Sequence, residues 1–235
     1  SDILYQGHLN TQQVGVIGQS FGGYTALAVA GADINFNKLQ QDCADINSSW
    51  NLSLLLQCRA LILPNYKYNL RDERVKAVLG INPIGSSVFG RDGLNNINIP
   101  VTIVAGTADT VAPALPEQIV PFTWLNNPNR YLLIMNNGTH FSTLAESPSS
   151  VPLPPAVIGP DPNLARDYMK SLSVAFFKLY VANQPEYQAY LTPSYITYLS
   201  REPLPLSLVR SLSEAELKLA LERPSPETVI SPKRN

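Results

Sequence analysis

The string Gly18-Gln19-Ser20-Phe21-Gly22-Gly23 has the form G-x-S-x-G, and it separates a short apolar run, residues 13–17, from a small-residue stretch, residues 22–32. A strand can pass directly into a helix only through a sharp turn, where flanking glycines remove side chains that would collide. The junction therefore predicts strand, tight turn, helix. Three further runs, residues 75–81, 100–105 and 131–135, are apolar throughout and do not alternate with polar positions. Strands of that kind are covered on both faces, as in a parallel sheet with helices on either side. Asn82-Pro83 stops the first of these runs, because proline lacks a ladder donor and steers its predecessor away from the helical region. The expected class is α/β, a mostly parallel sheet flanked by helices.

The chain has 235 residues, of which 45% are hydrophobic and only 15% charged, against roughly 25% charged in an ordinary soluble domain. A large core follows. Residues 164–181 predict an amphipathic helix with Met169, Leu172, Ala175 and Phe176 on the side that packs on the sheet. A second helix is expected over 214–222, opened by a capping box of Ser213 and Glu216 and followed by Pro224, Pro226 and a loose tail. Residues 1–200 thus read as the C-terminal portion of a larger α/β domain and 201–235 as a terminal helix and tail. The six prolines of residues 147–162 predict a stiff loop without helix.

Residues 33–70 are longer than a usual connection and contain an apolar cluster at 52–56, which suggests a partly helical insertion that caps a site. The insertion carries both cysteines, Cys43 and Cys58. Two cysteines cannot make a four-cysteine zinc site. A bridge between them would close a loop of about 15 residues, worth on the order of 3 kcal/mol in the chain-entropy model. It would suit a secreted or periplasmic setting, with two buried thiols as the alternative. The net charge of -1 leaves no basic footprint for nucleic acid. No apolar run approaches the length of a membrane span.

A serine hydroxyl is a weak nucleophile until a base takes its proton, so Ser20 needs a histidine brought to it by the fold. His8 and His140 are the only two. His8 precedes the first strand, at the wrong end for the serine turn, whereas His140 follows the fourth run, at the end of a strand where parallel-sheet sites gather. The third member must orient His140 and stabilise its cation. Asp109, directly after the third run, is suited to this, and Asp33 and Asp92 are its rivals. A carboxylate could also follow the second run, but Asn82 stands there. The plainer role for Asp109 is to cap the next helix. Ser20 is thus read as nucleophile, His140 as general base and then acid, Asp109 as its partner, and the Phe21 N–H as an oxyanion donor.

Residues 13–30, with Gly106-Thr107-Ala108-Asp109 and Gly138-Thr139-His140-Phe141, resemble α/β hydrolases of the dienelactone hydrolase and platelet-activating-factor acetylhydrolase-like group. The likeness is to lipase-like members found in cyanobacteria, and it covers about residues 13–181. It implies the α/β hydrolase fold and cofactor-free, metal-free hydrolysis of a small-molecule or lipid-like ester through an acyl-serine. Leu54, Leu153 and Val157 are candidates to line an apolar pocket. The serine and the long insertion depart from dienelactone hydrolases, whose nucleophile is cysteine, so a lactone is not the expected substrate. In such hydrolases several strands precede the nucleophile strand and one of their loops supplies a second oxyanion donor, yet only 19 residues precede Ser20. An upstream segment or a second chain is therefore expected to complete the sheet. A non-catalytic binding module on the same fold and a serine peptidase are the competing readings.

Overall fold

The computed structural model describes residues 7, 9–44, 51–144 and 153–223. Strands β1 (Val14–Gln19), β2 (Val75–Ile81), β3 (Val101–Gly106) and β4 (Arg130–Met135) lie side by side in chain order, all parallel. A fifth, β5 (Leu206–Val209), adds antiparallel to β4. Crossovers between neighbouring parallel strands are right-handed, so with this order their helices collect on one face. That face carries α1 (Phe21–Val29), α2 (Phe36–Cys43), α4 (Ser86–Leu94, broken at Gly90 with φ 58°) and α5 (Val120–Trp124). Ala26, Leu39, Phe89 and Phe122 pack there against Val78, Val101 and Ile103.

The opposite face is closed by α7 (Pro162–Tyr180) and α8 (Pro193–Leu199), whose Tyr168, Leu172, Phe176 and Ile196 meet Leu79, Tyr131 and Leu133. Neighbouring residues Val78 and Leu79 thus serve different cores. This is why the runs are apolar throughout. The inward side of α7 is the expected one, with Met169, Leu172, Ala175 and Phe176 all buried.

Between α2 and β2 come α3 (Leu52–Gln57) and a 3-10 turn, Cys58–Ile62. Cys43 and Cys58 are bridged with Cα atoms 5.8 Å apart, which ties the end of α2 to that turn. The insertion is held a second time by the buried Glu117, in a π-helical turn Leu115–Ile119. Its carboxylate accepts from Asn51 Nδ2 and from Gln57 Nε2 (2.9 Å). It also accepts from Ser86 Oγ (2.9 Å) and from the Gly85 and Ser86 N–H groups at 3.2 and 3.3 Å. A buried carboxylate needs such a shell of donors, and here the shell welds α3 to the start of α4.

Two expectations change. Against the expected loop, Pro155–Ile158 form a helical turn, α6, because proline suits the first helical position, where its missing N–H is not needed. Pro162 opens α7 in the same way, and Asp161 caps it by accepting from Leu164 N at 2.9 Å. Residues 185–199 and β5 are ordered elements that the pattern did not announce, and β5 brings residues beyond 200 into the sheet. The helix after them, α9 (Glu214–Glu222), carries the expected capping box of Ser213 and Glu216.

At its other margin the sheet ends in β1. Among the described residues β2 pairs with one edge of β1 and no strand with the other, and Ile17 is exposed. No described helix is long and apolar enough to cross a membrane. Residues 147–152 of the proline-rich stretch, the tail from Pro224, and His8 lie outside the described residues.

Candidate active site

The turn from β1 into α1 holds Ser20 at φ 54° and ψ -114°, a backbone region that costs a non-glycine residue about 1–3 kcal/mol. Its N–H donates to Ile81 O at 2.9 Å, and its carbonyl accepts from Tyr24 N at 2.9 Å. The backbone is held from both sides while the hydroxyl makes no cap bond. The flanking glycines differ in their reasons. A Cβ on Gly18 would sit 2.1 Å from Gly22 O, and one on Gly23 would sit 2.8 Å from Pro83 Cβ, whereas one on Gly22 would meet nothing within 4 Å. Gly18→Ala should therefore lose about 3 kcal/mol or more of stability, beyond ordinary overpacking because the obstacle is backbone. Gly22→Ala, in the first turn of a helix, should hold or gain up to about 1 kcal/mol. Urea midpoints would check the pair; equal midpoints would refute this account of the turn.

His140 and Asp109 are paired. His140 Nδ1 lies 2.7 Å from Asp109 Oδ2, and both side chains are buried. An ionised carboxylate can only accept, so Nδ1 carries the proton and Nε2 of the neutral ring is left as an acceptor. The other oxygen, Asp109 Oδ1, accepts from the Val111 and Ala112 N–H groups at 2.8 and 2.7 Å. Asp109 therefore bonds local backbone with one oxygen and the imidazole with the other, and the bonded N–H groups precede the next helical turn, so it does not cap that helix. The rivals lie elsewhere. Asp33 accepts from Asn96 and faces Lys67, while Asp92 accepts from Asn35.

Side chains on neighbouring strand ends hold the histidine loop. Gln19, beside Ser20, donates from Nε2 to His140 O and accepts from Thr143 Oγ1 at 3.4 Å. Asn82, buried at φ 42°, donates to Thr139 O (3.2 Å) and accepts from Gly106 N (3.1 Å). Ala108 N donates to Gly138 O at 2.9 Å, which joins the loop of Asp109 to the loop of His140 directly. From outside, Thr139 Oγ1 donates to Val157 O (2.8 Å) and Ser142 Oγ to Ile158 O (3.0 Å), so α6 braces the same loop. Sequence reasoning gave no role to Gln19 and saw Asn82 only as a missing acid. An asparagine before proline at a strand end was the signal for the second, since its side chain can reach backbone groups on both neighbours.

The expected bond between Ser20 and His140 is not formed. Ser20 Oγ has no hydrogen-bond partner among the described residues, so the turn and the loop are joined through Gln19 instead. Such bonds often tighten only when substrate fills the site. The Phe21 N–H, first in α1, likewise has no partner among the described residues. Leu54 is buried in the core, while Leu153 and Val157 are exposed beside the loop. In comparison with known proteins, no protein-family model matches the chain and no curated protein matches it.

Proposed function

We propose that the chain is a serine ester hydrolase of α/β hydrolase fold, with Ser20 as nucleophile, His140 as base and then acid, and Asp109 as the group that orients His140. The observation that carries this reading is the buried His140–Asp109 pair at the same sheet end as a strained serine turn with a free hydroxyl. Attack of Ser20 Oγ on an ester carbonyl passes the serine proton to His140 Nε2 as the new C–O bond forms. Asp109 stabilises the imidazolium, and the Phe21 N–H bonds the carbonyl oxygen as it becomes negative. His140 then protonates the leaving alcohol, and water repeats the sequence in reverse to free the acid and restore Ser20.

The substrate class is a small-molecule or lipid-like ester with an apolar part. The proposal includes a strand from an upstream segment or a second chain on the open edge of β1, with a loop that adds the second oxyanion donor. The unformed Ser20–His140 bond favours one rival, a binding module that keeps the fold without turnover. A fluorophosphonate separates the two, because it reacts only with an activated serine. A stoichiometric adduct on the Ser20 peptide, absent after Ser20→Ala, is the expected result. Folded protein without that adduct would leave the binding module.

A further inference from the structure

We propose that α3 and the turn after it form a docking surface for an anionic lipid bilayer. In water a short surface helix hides its apolar side and shows its polar one, yet α3 buries Ser53 and Gln57 beside Leu54 and turns its other leucines outward. Ser53 and Gln57 are buried, held by Asn51, Glu117 and the Ser87 and Val88 N–H groups. Leu52, Leu55 and Leu56, spaced to share one side, are 54%, 50% and 41% exposed. Past the disulfide the pattern continues, with Ile62 83% exposed and Leu63 and Tyr66 also exposed. Contiguous apolar surface of this kind marks an interaction site.

Charge selects the occupant. From Asp45 to Asp72 no acidic residue intervenes, while Arg59, Lys67 and Arg71 are cationic, in a chain whose net charge is -1. Arg59 is exposed and in no ion pair among the described residues, the side chain of Lys67 stays largely exposed although it lies 3.5 Å from Asp33, and Arg71 is paired with Glu73 at 2.7 Å. Apolar side chains with a tyrosine, beside the unpaired Arg59 and the largely exposed Lys67, match the boundary of an anionic bilayer, where leucines enter the acyl region and cations meet headgroups. The bridge and Glu117 hold the surface in place before it binds, so little ordering is needed on contact.

The surface also adjoins the candidate active site. Ser53 N donates to Val111 O at 3.0 Å, and Val111 N donates to Asp109 Oδ1 at 2.8 Å. On the hydrolase reading, an ester held at the bilayer surface would be delivered beside Ser20; that clause rests on the proposed function, whereas binding does not.

Vesicle flotation of the full chain tests the surface, with phosphatidylglycerol-rich vesicles compared with pure phosphatidylcholine. Binding to the anionic vesicles is expected, with at least about ten-fold weaker binding to the neutral ones. The exposed double substitution Leu55→Ser/Ile62→Ser should weaken anionic binding by about ten-fold or more. Its urea midpoint and its hydrolysis of a soluble ester should stay unchanged. Arg59→Glu should reduce the preference for anionic vesicles. No flotation of the native chain, equal flotation of the double variant, or a dimer that the double variant dissociates would each overturn the proposal, the last by assigning the surface to a second copy. Flotation without fluorophosphonate labelling would sink the hydrolase reading alone, and labelling without flotation the docking surface alone.

Discussion

Ser20→Ala and His140→Ala are each expected to lower kcat for a soluble p-nitrophenyl ester by about 10⁴- to 10⁶-fold, and the double variant should be no worse than the weaker single one. The reason is mutual dependence. Without the imidazole the hydroxyl keeps its proton, and without the hydroxyl the imidazole has nothing to activate. Whatever rate remains would come from the Phe21 N–H and from binding, which neither substitution removes. Losses that multiply in the double variant would show two independent roles and sink the shared proton path. Ser20 makes no side-chain cap bond, so Ser20→Ala should keep the native unfolding midpoint, whereas His140→Ala leaves the buried Asp109 carboxylate without its partner and should cost about 1–3 kcal/mol of stability.

Asp109→Asn is expected to cost about 10⁴-fold in kcat with little change in KM. The geometry says why an isosteric change is so damaging. Oδ1 is already committed to the Val111 and Ala112 N–H groups, so the amide of an asparagine must present its NH₂ towards His140 Nδ1. A donor facing Nδ1 forces the ring proton to Nε2, the atom that has to accept from Ser20. The base is then present but in the wrong tautomer. A steady-state comparison at fixed pH checks this. A variant within about ten-fold of the native kcat would show that Asp109 does not set the tautomer.

Much of this arrangement could be read from the chain. The four parallel strands and the inner side of α7 follow from short runs whose apolar residues leave no alternative to burial, and the turn at Ser20 follows from where a Cβ cannot fit. Ser20, Asp109 and His140 could be named because each lies on the loop that leaves the C-terminal end of a recognisable strand, and strand ends of a parallel sheet share one side. The bridge of Cys43 to Cys58 was legible as one of two outcomes. Less legible was β5, four residues between prolines and a serine-rich stretch, which is a strand only because β4 offers it a free edge. Its pairing partner lies far back in the sequence, where no local pattern can point.

The amino-acid sequence by itself determined the elements whose causes are local: apolar runs, glycine sterics at Gly18, and the capping box of Ser213 and Glu216. The tertiary structure alone decided what depends on distant pairs. It made Gln19 a support for His140, 121 residues away, and set Asn82 between two strand ends, 57 residues from Thr139. It also left Ser20 without its bond to His140 and turned Leu52, Leu55 and Leu56 outward by satisfying Ser53 and Gln57 within. A buried polar group must find a partner or pay heavily for the lack of one. Which partner it finds is settled by the packing of the whole sheet, and the residues on either side of it carry no mark of that choice.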